Sequence, residues 1–192
     1  RKVGVLNLSV VGEHNLLNAL AAFTAASALN MAEDKLFTGL KSFTGTRRRF
    51  ELKGEVSGIK VIDDYGHHPT EIIATLTAAK NLAQSARVLV IFQPHRYSRT
   101  AAFFEQFSAA LSNADFTFLL EVYAASEKAI PGVSSLMIAR NMDQTKVRFE
   151  PSMLEVVSEI TKMAKSGDVI ITLGAGDISS LGEPILQSLA SR

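Results

Sequence analysis

The sequence lacks cysteine, lacks long hydrophobic runs and carries almost no net charge. The absence of cysteine excludes disulfide bonds and thiolate metal sites, and it is typical of a reducing compartment. A membrane-spanning helix needs roughly 20 consecutive apolar residues, so we predict no membrane insertion. The formal net charge of +1 gives no overall attraction to nucleic acid or to a membrane surface, and we predict no nucleic-acid partner.

A phosphate-binding loop of the form G-x-x-x-x-G-K-[ST] is also missing from the sequence. If the protein uses ATP, its main phosphate cradle is therefore outside this chain. The N-terminal segment, RKVGVLNLSVVGEHN, lacks the apolar stretch and the small-residue cleavage site of a signal peptide. We expect it to be a strand entered in the middle of a domain, in a chain cut from a longer protein.

The composition is that of an ordinary globular protein, with 192 residues of which 47% are hydrophobic and 20% charged. The hydrophobic pattern predicts a strand at residues 3–11, a buried helix at residues 13–31 and a second, shorter helix at residues 34–43. Glycines and three consecutive arginines in FTGTRRRFELKG then indicate a domain junction that leads into the first strand of a new domain. We therefore predict two domains, residues 1–44 and residues 45–192.

Strands and helices alternate regularly after this junction. The predicted strands are 60–64, 87–92, 116–122, 146–150 and 169–173, and the predicted helices are 69–85, 100–113, 134–141, 152–166 and 178–190. The strand segments VLVIF, FTFLL and VIITL are almost continuously apolar, as strands buried on both faces are. This pattern predicts an α/β fold, a Rossmann-like and mostly parallel sheet with helices on both faces.

The densest polar cluster, DDYGHHPTE, comes at the end of a predicted strand and the start of a predicted helix. Its carboxylates and imidazoles are Asp63, Asp64, His67, His68 and Glu71, with a phenol at Tyr65 between them. Ligands of open α/β sheets bind at this position, where helix N-termini also attract anions. The residues alone leave three interpretations of this cluster. It could be a divalent-cation site, a nucleotide or anion site with Asp64 and His67 facing the cleft, or a polar turn that caps the helix.

A second charged loop, QPHRYSRT, follows the next strand and contains Arg96 and Arg99 beside His95 and Tyr97. Because the carboxyl ends of parallel strands meet at one edge of a sheet, the two loops should share a rim. Arginine presents a planar fork that pairs with carboxylate or phosphate oxygens, so this rim favours an anionic substrate. The alternative is a solvated basic turn.

Two further motifs are weaker. LGAGDIS, after the last strand, has glycines at positions 174 and 176, and we interpret it as a tight structural turn rather than a nucleotide motif, because it does not match G-x-G-x-x-G. In HNLLN, Asn15 and Asn18 lie three residues apart on one helical face, where side-chain amides can recognise an adenine edge or simply cap the helix.

Taken together, the motifs resemble the Mur ligase family of peptidoglycan biosynthesis. The resemblance rests on GEHNLLNALAA, FTGTRRRFE, DDYGHHPTE, FQPHRYSRT, LLEVYAASEKAIPG and GAGDI, which occur in the order of the family and span nearly the whole chain. Within the family, DDYGHHPTE followed by HRYSRT favours the branch that adds L-alanine over the branch that recycles murein tripeptide.

The resemblance implies a three-domain bacterial enzyme of the cytoplasm that is needed for cell-wall growth, cell shape and division. Residues 1–44 would be the tail of the central ATP-binding domain and residues 45–192 the C-terminal domain. The UDP-substrate domain, the phosphate loop and the main magnesium ligands would lie in the missing part. The isolated chain is therefore expected to be inactive, and its partners would be those missing domains with UDP-N-acetylmuramate, L-alanine and ATP.

The reaction implied by the resemblance is ATP-dependent amide formation through an acyl phosphate, which the amine of the amino acid attacks. The resemblance implies that Asn15 and Asn18 contact adenine, that Arg48 or its neighbour Arg49 reaches the nucleotide, and that Asp64 helps to place it. The residues implied for the amino-acid and acyl-phosphate side are Tyr65, His67, Arg96 and Arg99, with His67 and the two arginines as catalytic groups and no metal ligand in this chain.

Judged from the residue types alone, two other classes of function remain as alternatives. One is a nucleotide- or anion-binding module that uses the same rim without chemistry. The other is a metal-dependent hydrolase built on Asp63, Asp64, His67 and His68, which is the weakest because adjacent histidines rarely both point at one ion.

Overall fold

The computed structural model describes residues 4–10 and 12–192, with the backbone alone for Glu13 and His14. The chain divides into two compact units, Arg1–Thr46 and Arg47–Arg192, where the sequence predicted a division between residues 44 and 45.

The first unit contains two helices, α1 (Glu13–Ala28) and α2 (Glu33–Ser42), as predicted. The strand predicted for residues 3–11 is wrong for residues 4–10, which form no strand; Val3 and Val11 lie outside the described residues. A strand needs a neighbour that satisfies its backbone groups, and the described part of this unit has none to offer.

The prediction that α1 is a buried helix is also wrong. Ala19 is its one buried side chain among those described, whereas Leu16, Leu17 and Leu20 are 58–60% exposed. Alanine and leucine occur all around this helix, so its apolar surface is wider than the face that packs within the unit.

The second unit is built on a six-stranded sheet with the order β1-β2-β6-β3-β4-β5. The strands are β1 (Glu51–Val56), β2 (Ile59–Asp64), β3 (Val88–Phe92), β4 (Phe116–Leu119), β5 (Val147–Phe149) and β6 (Val169–Leu173). β1 pairs antiparallel with β2 and the other pairs are parallel. The hairpin between β1 and β2 turns at Ser57 and Gly58, both with positive φ as two-residue hairpin turns require. The predicted fold class is confirmed.

Helices cover both faces of this sheet. They are α3 (Pro69–Ala83), α4 (Tyr97–Leu111), α5 (Leu136–Arg140), α6 (Met153–Met163) and α7 (Gly182–Ala190), with a 3-10 helix at Asp177–Leu181. One apolar core joins α3, α4 and α5 to one face of the strands, and a second core joins α6, the 3-10 helix and α7 to the other face. Strand residues alternate between the two cores: Val88, Val90 and Phe92 enter the first core, and Leu89 and Ile91 the second.

The connections fix where a ligand can bind. β6 lies between β2 and β3 in the sheet, but the chain leaves β6 toward one face and leaves β2 and β3 toward the other. Loops therefore diverge at the carboxyl ends of these three strands, and they leave a crevice of the kind in which open α/β sheets bind ligands.

Candidate functional site

The end of β2 places two buried carboxylates under the crevice. Asp63 accepts a hydrogen bond from the Thr172 hydroxyl at 2.7 Å and forms an ion pair with Arg48 Nε at 3.3 Å. Asp64 accepts from Phe50 N–H and Gly66 N–H, each at 2.8 Å, and from the Thr75 hydroxyl at 3.0 Å.

The Asp64 carboxylate is therefore occupied within the protein, on both of its oxygens. Burial raises the pKa of Asp64 above its ordinary value, although the hydrogen bonds from Gly66, Phe50 and Thr75 act in the opposite direction. A role of Asp64 in placing a nucleotide stays a prediction, and the geometry favours an indirect one, through the backbone segments that the carboxylate holds.

The N-terminus of α3 is closed by a capping box. Glu71 accepts hydrogen bonds from the backbone N–H groups of His67 at 2.9 Å and His68 at 3.2 Å, while His68 Nδ1 accepts from Thr70 N–H. Pro69 takes the first helical position, where no N–H is required. Partial burial acts to raise the pKa of Glu71, but the His67 and His68 hydrogen bonds and the charges of His67 and Arg49 outweigh it and lower that pKa. The capping interpretation of this motif thus accounts for Glu71 and His68 but leaves Tyr65 and His67 on the rim.

The loop after β3 continues the sheet beyond the ends of the strands. His95 and Tyr123 form a parallel bridge, in which Tyr123 N–H donates to the Pro94 carbonyl and Arg96 N–H donates to the Tyr123 carbonyl, each at 2.8 Å. Arg96 has a φ of +77° and precedes the first turn of α4, so the helix begins at Tyr97 rather than at residue 100 as predicted. This loop brings Arg96 and Arg99 to the rim formed by the loop after β2.

The turn after β6 is structural, as the sequence indicated. Gly174 has a φ of +147°, and a Cβ there would lie 2.6 Å from the Gln93 carbonyl oxygen. The buried Gln93 side chain donates to Asp177 at 2.8 Å and accepts from Ile178 N–H, so it fixes this turn to the loop after β3.

The two candidate arginines of the junction differ in their surroundings. Arg48 donates to the carbonyl oxygens of Gly174 at 2.6 Å and Gly176 at 3.3 Å, in addition to its ion pair with Asp63. Its side chain is 26% exposed, whereas that of Arg49 is 53% exposed and lies 4.0 Å from Glu71. Arg48 therefore connects the junction to the turn after β6, and Arg49 is the arginine that extends into solvent.

Four rings follow one another along the rim, and we call Tyr65, His67, His95 and Tyr123 the aromatic row. Successive ring centroids are separated by 5.1, 5.9 and 5.5 Å. The first two contacts are edge-on, and His95 stacks on Tyr123 with an angle of 13° between the rings. The guanidinium carbons of Arg48 and Arg49 lie 4.9 and 5.6 Å from the Tyr65 ring centre. The row joins the loops that follow β2, β3 and β4 into one wall.

Two nitrogen atoms next to this wall are buried without a hydrogen-bond partner, His95 Nδ1 and Arg99 Nη1. Burial and the positive charges of Arg99, His67 and Arg96 lower the pKa of His95, although Glu127 acts weakly in the opposite direction. The lowered pKa favours the neutral form of His95, and Arg99 provides positive charge beside it. Buried polar atoms without a partner are rare in folded proteins, and a bound ligand would satisfy these two.

Asn15 and Asn18 belong to the first unit, where both line a cavity of about 330 Å³. The other walls are mostly apolar and are formed by Leu8, Val10, Ala19, Ala22, Gly39, Leu40, Phe43 and Thr46. The volume lies at the lower end of the range for small-molecule pockets, and two amides in an apolar cavity match the hydrogen-bonding edge and the flat faces of a purine.

In the described part of the chain, no three histidine, aspartate or glutamate side chains are arranged to hold a metal ion. Likewise, no helix of the described residues is long and apolar enough to cross a membrane.

The structure thus brings Tyr65, His67, Arg96 and Arg99 to one rim, with Asp64 beneath it and Arg48 at its side. The sequence interpretation missed Tyr123 and Gln93 as parts of this site. Gln93 is the first residue of QPHRYSRT, and Tyr123 lies within LLEVYAASEKAIPG, so the motifs contained both residues, but the residue types alone gave neither one a role.

Comparison with known proteins places this geometry in a family. Residues 48–176 match the family model described as Mur ligase, glutamate ligase domain. The chain is 48% identical over 187 residues to the UDP-N-acetylmuramate–L-alanine ligase of Renibacterium salmoninarum, which covers 97% of this chain and 40% of that protein.

Solved structures agree with this match. The UDP-N-acetylmuramate–alanine ligase of Thermotoga maritima superposes with a TM-score of 0.78 at 30% identity, over 97% of this chain and 40% of that one. A murein peptide ligase of Psychrobacter arcticus gives 0.72 at 27% identity, over 97% and 39% of the two chains. This chain therefore spans about 40% of the length of the relatives it matches. The match runs from the junction arginine to the turn after β6 and includes all six strands and the rim, and the chain belongs to the Mur ligase family.

Proposed function

We propose that this chain is part of an ATP-dependent ligase that joins L-alanine to UDP-N-acetylmuramate in peptidoglycan biosynthesis. The observation that carries the proposal is the pair Arg96 and Arg99 on the rim. Within the described residues, neither guanidinium group forms a salt bridge or a side-chain hydrogen bond. Two such groups beside the aromatic row suit the carboxylate of an incoming amino acid.

The roles proposed for the other residues follow from their surroundings. Asn15 and Asn18 would hold adenine in their apolar cavity. Arg49, which is exposed, would reach the phosphates, while Arg48 and Asp64 would fix the junction and the loops around it.

The chemistry proposed for the assembled enzyme has two steps. The terminal phosphoryl group of ATP moves to the carboxylate of UDP-N-acetylmuramate, and ADP leaves. The amine of L-alanine then attacks the acyl phosphate, the carbon–nitrogen bond forms, and inorganic phosphate departs. The amino acid would be oriented by four side chains, those of Tyr65, His67, Arg96 and Arg99. The same groups would stabilise the negative charge that develops on the acyl oxygens, and positioning with charge stabilisation is the main means of catalysis in such reactions.

Magnesium and the phosphate loop are assigned to the upstream part of the longer protein, in the cytoplasm of a bacterium. Magnesium would neutralise phosphate charge during the transfer. The UDP-substrate domain and the central domain would be the partners of this chain, which we expect to be inactive alone.

The test is to rejoin this chain to its upstream domains and to measure phosphate release that depends on both UDP-N-acetylmuramate and L-alanine. Arg96→Ala and Arg99→Ala should each raise the KM for L-alanine or lower kcat. Loss of a partner to a buried carboxylate costs roughly 2–5 kcal/mol, so kcat/KM should fall by about 30-fold or more.

Arg140→Ala is the matched control, because Arg140 is exposed at the end of α5, away from the rim. Unchanged kinetics in both Arg96→Ala and Arg99→Ala would refute the assignment. Phosphate release that needs murein tripeptide instead of L-alanine would favour the recycling branch of the family, and tight nucleotide binding without any turnover would favour a binding module.

A further inference from the structure

Tyr123 lies in a loop, but backbone hydrogen bonds fix its position at the rim. Its backbone forms two hydrogen bonds with the loop after β3, one to Pro94 and one from Arg96, both at 2.8 Å. Farther along the loop after β4, Glu127 accepts hydrogen bonds from the backbone N–H and the hydroxyl of Ser98, at 3.0 and 2.6 Å, and these attach that loop to the start of α4. The position of Tyr123 is therefore determined relative to the two rim arginines.

The Tyr123 ring is enclosed on two sides. One face stacks on His95, with centroids 5.5 Å apart. Gly176 lies close to the ring as well, since a Cβ built on it would be 2.7 Å from Tyr123 Cγ. The ring has no space to retreat toward the turn after β6, yet the residue remains 38% exposed. It thus presents a fixed apolar surface toward the crevice.

Polar groups for the two ends of an amino acid surround this surface. Arg96 directly precedes α4 and donates its N–H to the Tyr123 carbonyl, and Arg99 lies near enough to His95 to lower its pKa. If the carboxylate of an amino acid pairs with these arginines, we expect its Cα to lie beside the His95 end of the aromatic row. We then expect its side chain to face the Tyr123 ring, which stacks on His95.

We propose that Tyr123 is a specificity-determining residue, which limits the side chain of the incoming amino acid to a small one. The inference rests on the proposed function and extends it, because none of the sequence motifs distinguishes L-alanine from its larger or smaller analogues. The ring acts by excluded volume, so its size matters and its hydroxyl group does not.

The experiment uses the enzyme rejoined to its upstream domains and measures kcat/KM for glycine, L-alanine and L-valine. Replacing Tyr123 with alanine opens the wall, and the ratio of kcat/KM for L-valine to that for L-alanine should rise by about 10–200-fold, the range that one methylene group confers in an apolar pocket. Tyr123→Trp should shift the preference the other way, toward glycine. Tyr123→Phe should leave every ratio within about threefold of the wild type, because it changes the hydroxyl group alone.

Ile130→Ala is the control for removing a large side chain from this region, since Ile130 is 40% exposed and farther along the same segment. It should leave the ratios unchanged. If Tyr123→Ala does not fold, Tyr123→Leu and Tyr123→Trp carry the test.

The outcomes separate this inference from the proposed function. A wild-type enzyme that does not ligate L-alanine contradicts the proposed function. A wild-type enzyme that does so, with folded Tyr123 variants whose selectivity is unaltered, overturns the inference alone.

Discussion

At the scale of single residues, Asp64 shows how a carboxylate can serve a site without facing its ligand. Its carboxylate accepts a hydrogen bond from Phe50 N–H, which fixes the backbone next to Arg48. It also accepts from Gly66 N–H, which fixes the loop after β2. Phe50 has a φ of +48°, which an aromatic residue seldom adopts, so this hydrogen bond offsets a backbone strain of order 1–3 kcal/mol. Asp64 therefore fixes the backbone around the rim, and its part in placing a nucleotide stays a prediction.

Asp64→Asn should lower the free energy of unfolding by about 1–3 kcal/mol. An asparagine side chain has one oxygen, so it can accept on one side only. Its NH₂ group would face either Phe50 N–H or Gly66 N–H, and that backbone N–H would lose its acceptor. Urea unfolding followed by circular dichroism measures the loss. Glu105→Gln makes the same carboxylate-to-amide change on the exposed surface of α4 and should stay within about 0.5 kcal/mol of the wild type. Equal stability of the two variants would contradict the role given to Asp64.

At the scale of elements, the start of α3 is the best example of a local sequence that specifies its own structure. Pro69 at the first position and Glu71 reaching back to His67 and His68 satisfy backbone groups that helix N-termini otherwise leave open. The same cap orients the backbone of His67, whose ring then joins the aromatic row. A helix cap and a part of the candidate site are thus one structure.

Glu71→Ala should destabilise the protein by about 1 kcal/mol at pH 7, because two backbone N–H groups lose their acceptor. The pKa of Glu71 is lower in the folded state, so its contribution is present above the ordinary value near 4.5 and is lost as the pH falls below it. The difference between variant and wild type in chemical unfolding should therefore shrink as the pH is lowered from 5 through 3.

Glu155→Ala is the control, since Glu155 also lies in the first turn of a helix, but Ser152 supplies the cap there. It removes a favourable interaction with the helix dipole without removing a backbone acceptor. A difference of the same size, with the same pH dependence, in both variants would show that charge at the helix end, and not the capping box, is responsible.

The bounds of some strands and helices of the second unit can be predicted from the sequence, and those of others cannot. VLVIF and VIITL are continuously apolar because both faces of β3 and β6 are buried, and the two strands lie within one residue of the predicted bounds. The start of α4 was predicted three residues late, because Arg96 ends the loop with a positive φ that no local pattern announces. The burial of α1 was predicted wrongly for a related reason: its composition describes an apolar helix but not what packs against it.

At the scale of the whole molecule, the sheet and both apolar cores lie within Arg47–Arg192. Residues of the cores come from every strand from β2 to β6 and from all five helices of that unit. A unit with its own cores and its own complete sheet has what a domain needs to fold alone.

Residues 47–192 expressed alone should therefore give a folded protein with one cooperative unfolding transition. The midpoint of urea unfolding should match that of the same unit in the full chain, and near-ultraviolet circular dichroism should be retained. A broad transition with loss of the near-ultraviolet signal would show that this unit depends on residues 1–46 for its fold.

The sequence by itself determined the alternation of strands and helices, the α3 cap, the glycine turn after β6 and the family resemblance, because these depend on neighbours a few residues apart. Tertiary structure decided the rest. Arg48 contacts Gly174, His95 stacks on Tyr123, and Asp64 holds Phe50, and each pair is brought together by the strand order β2-β6-β3-β4 or by the β1 hairpin. Strand order is set by how two faces of one sheet are covered, a property of all the apolar residues together, so no single motif contains it.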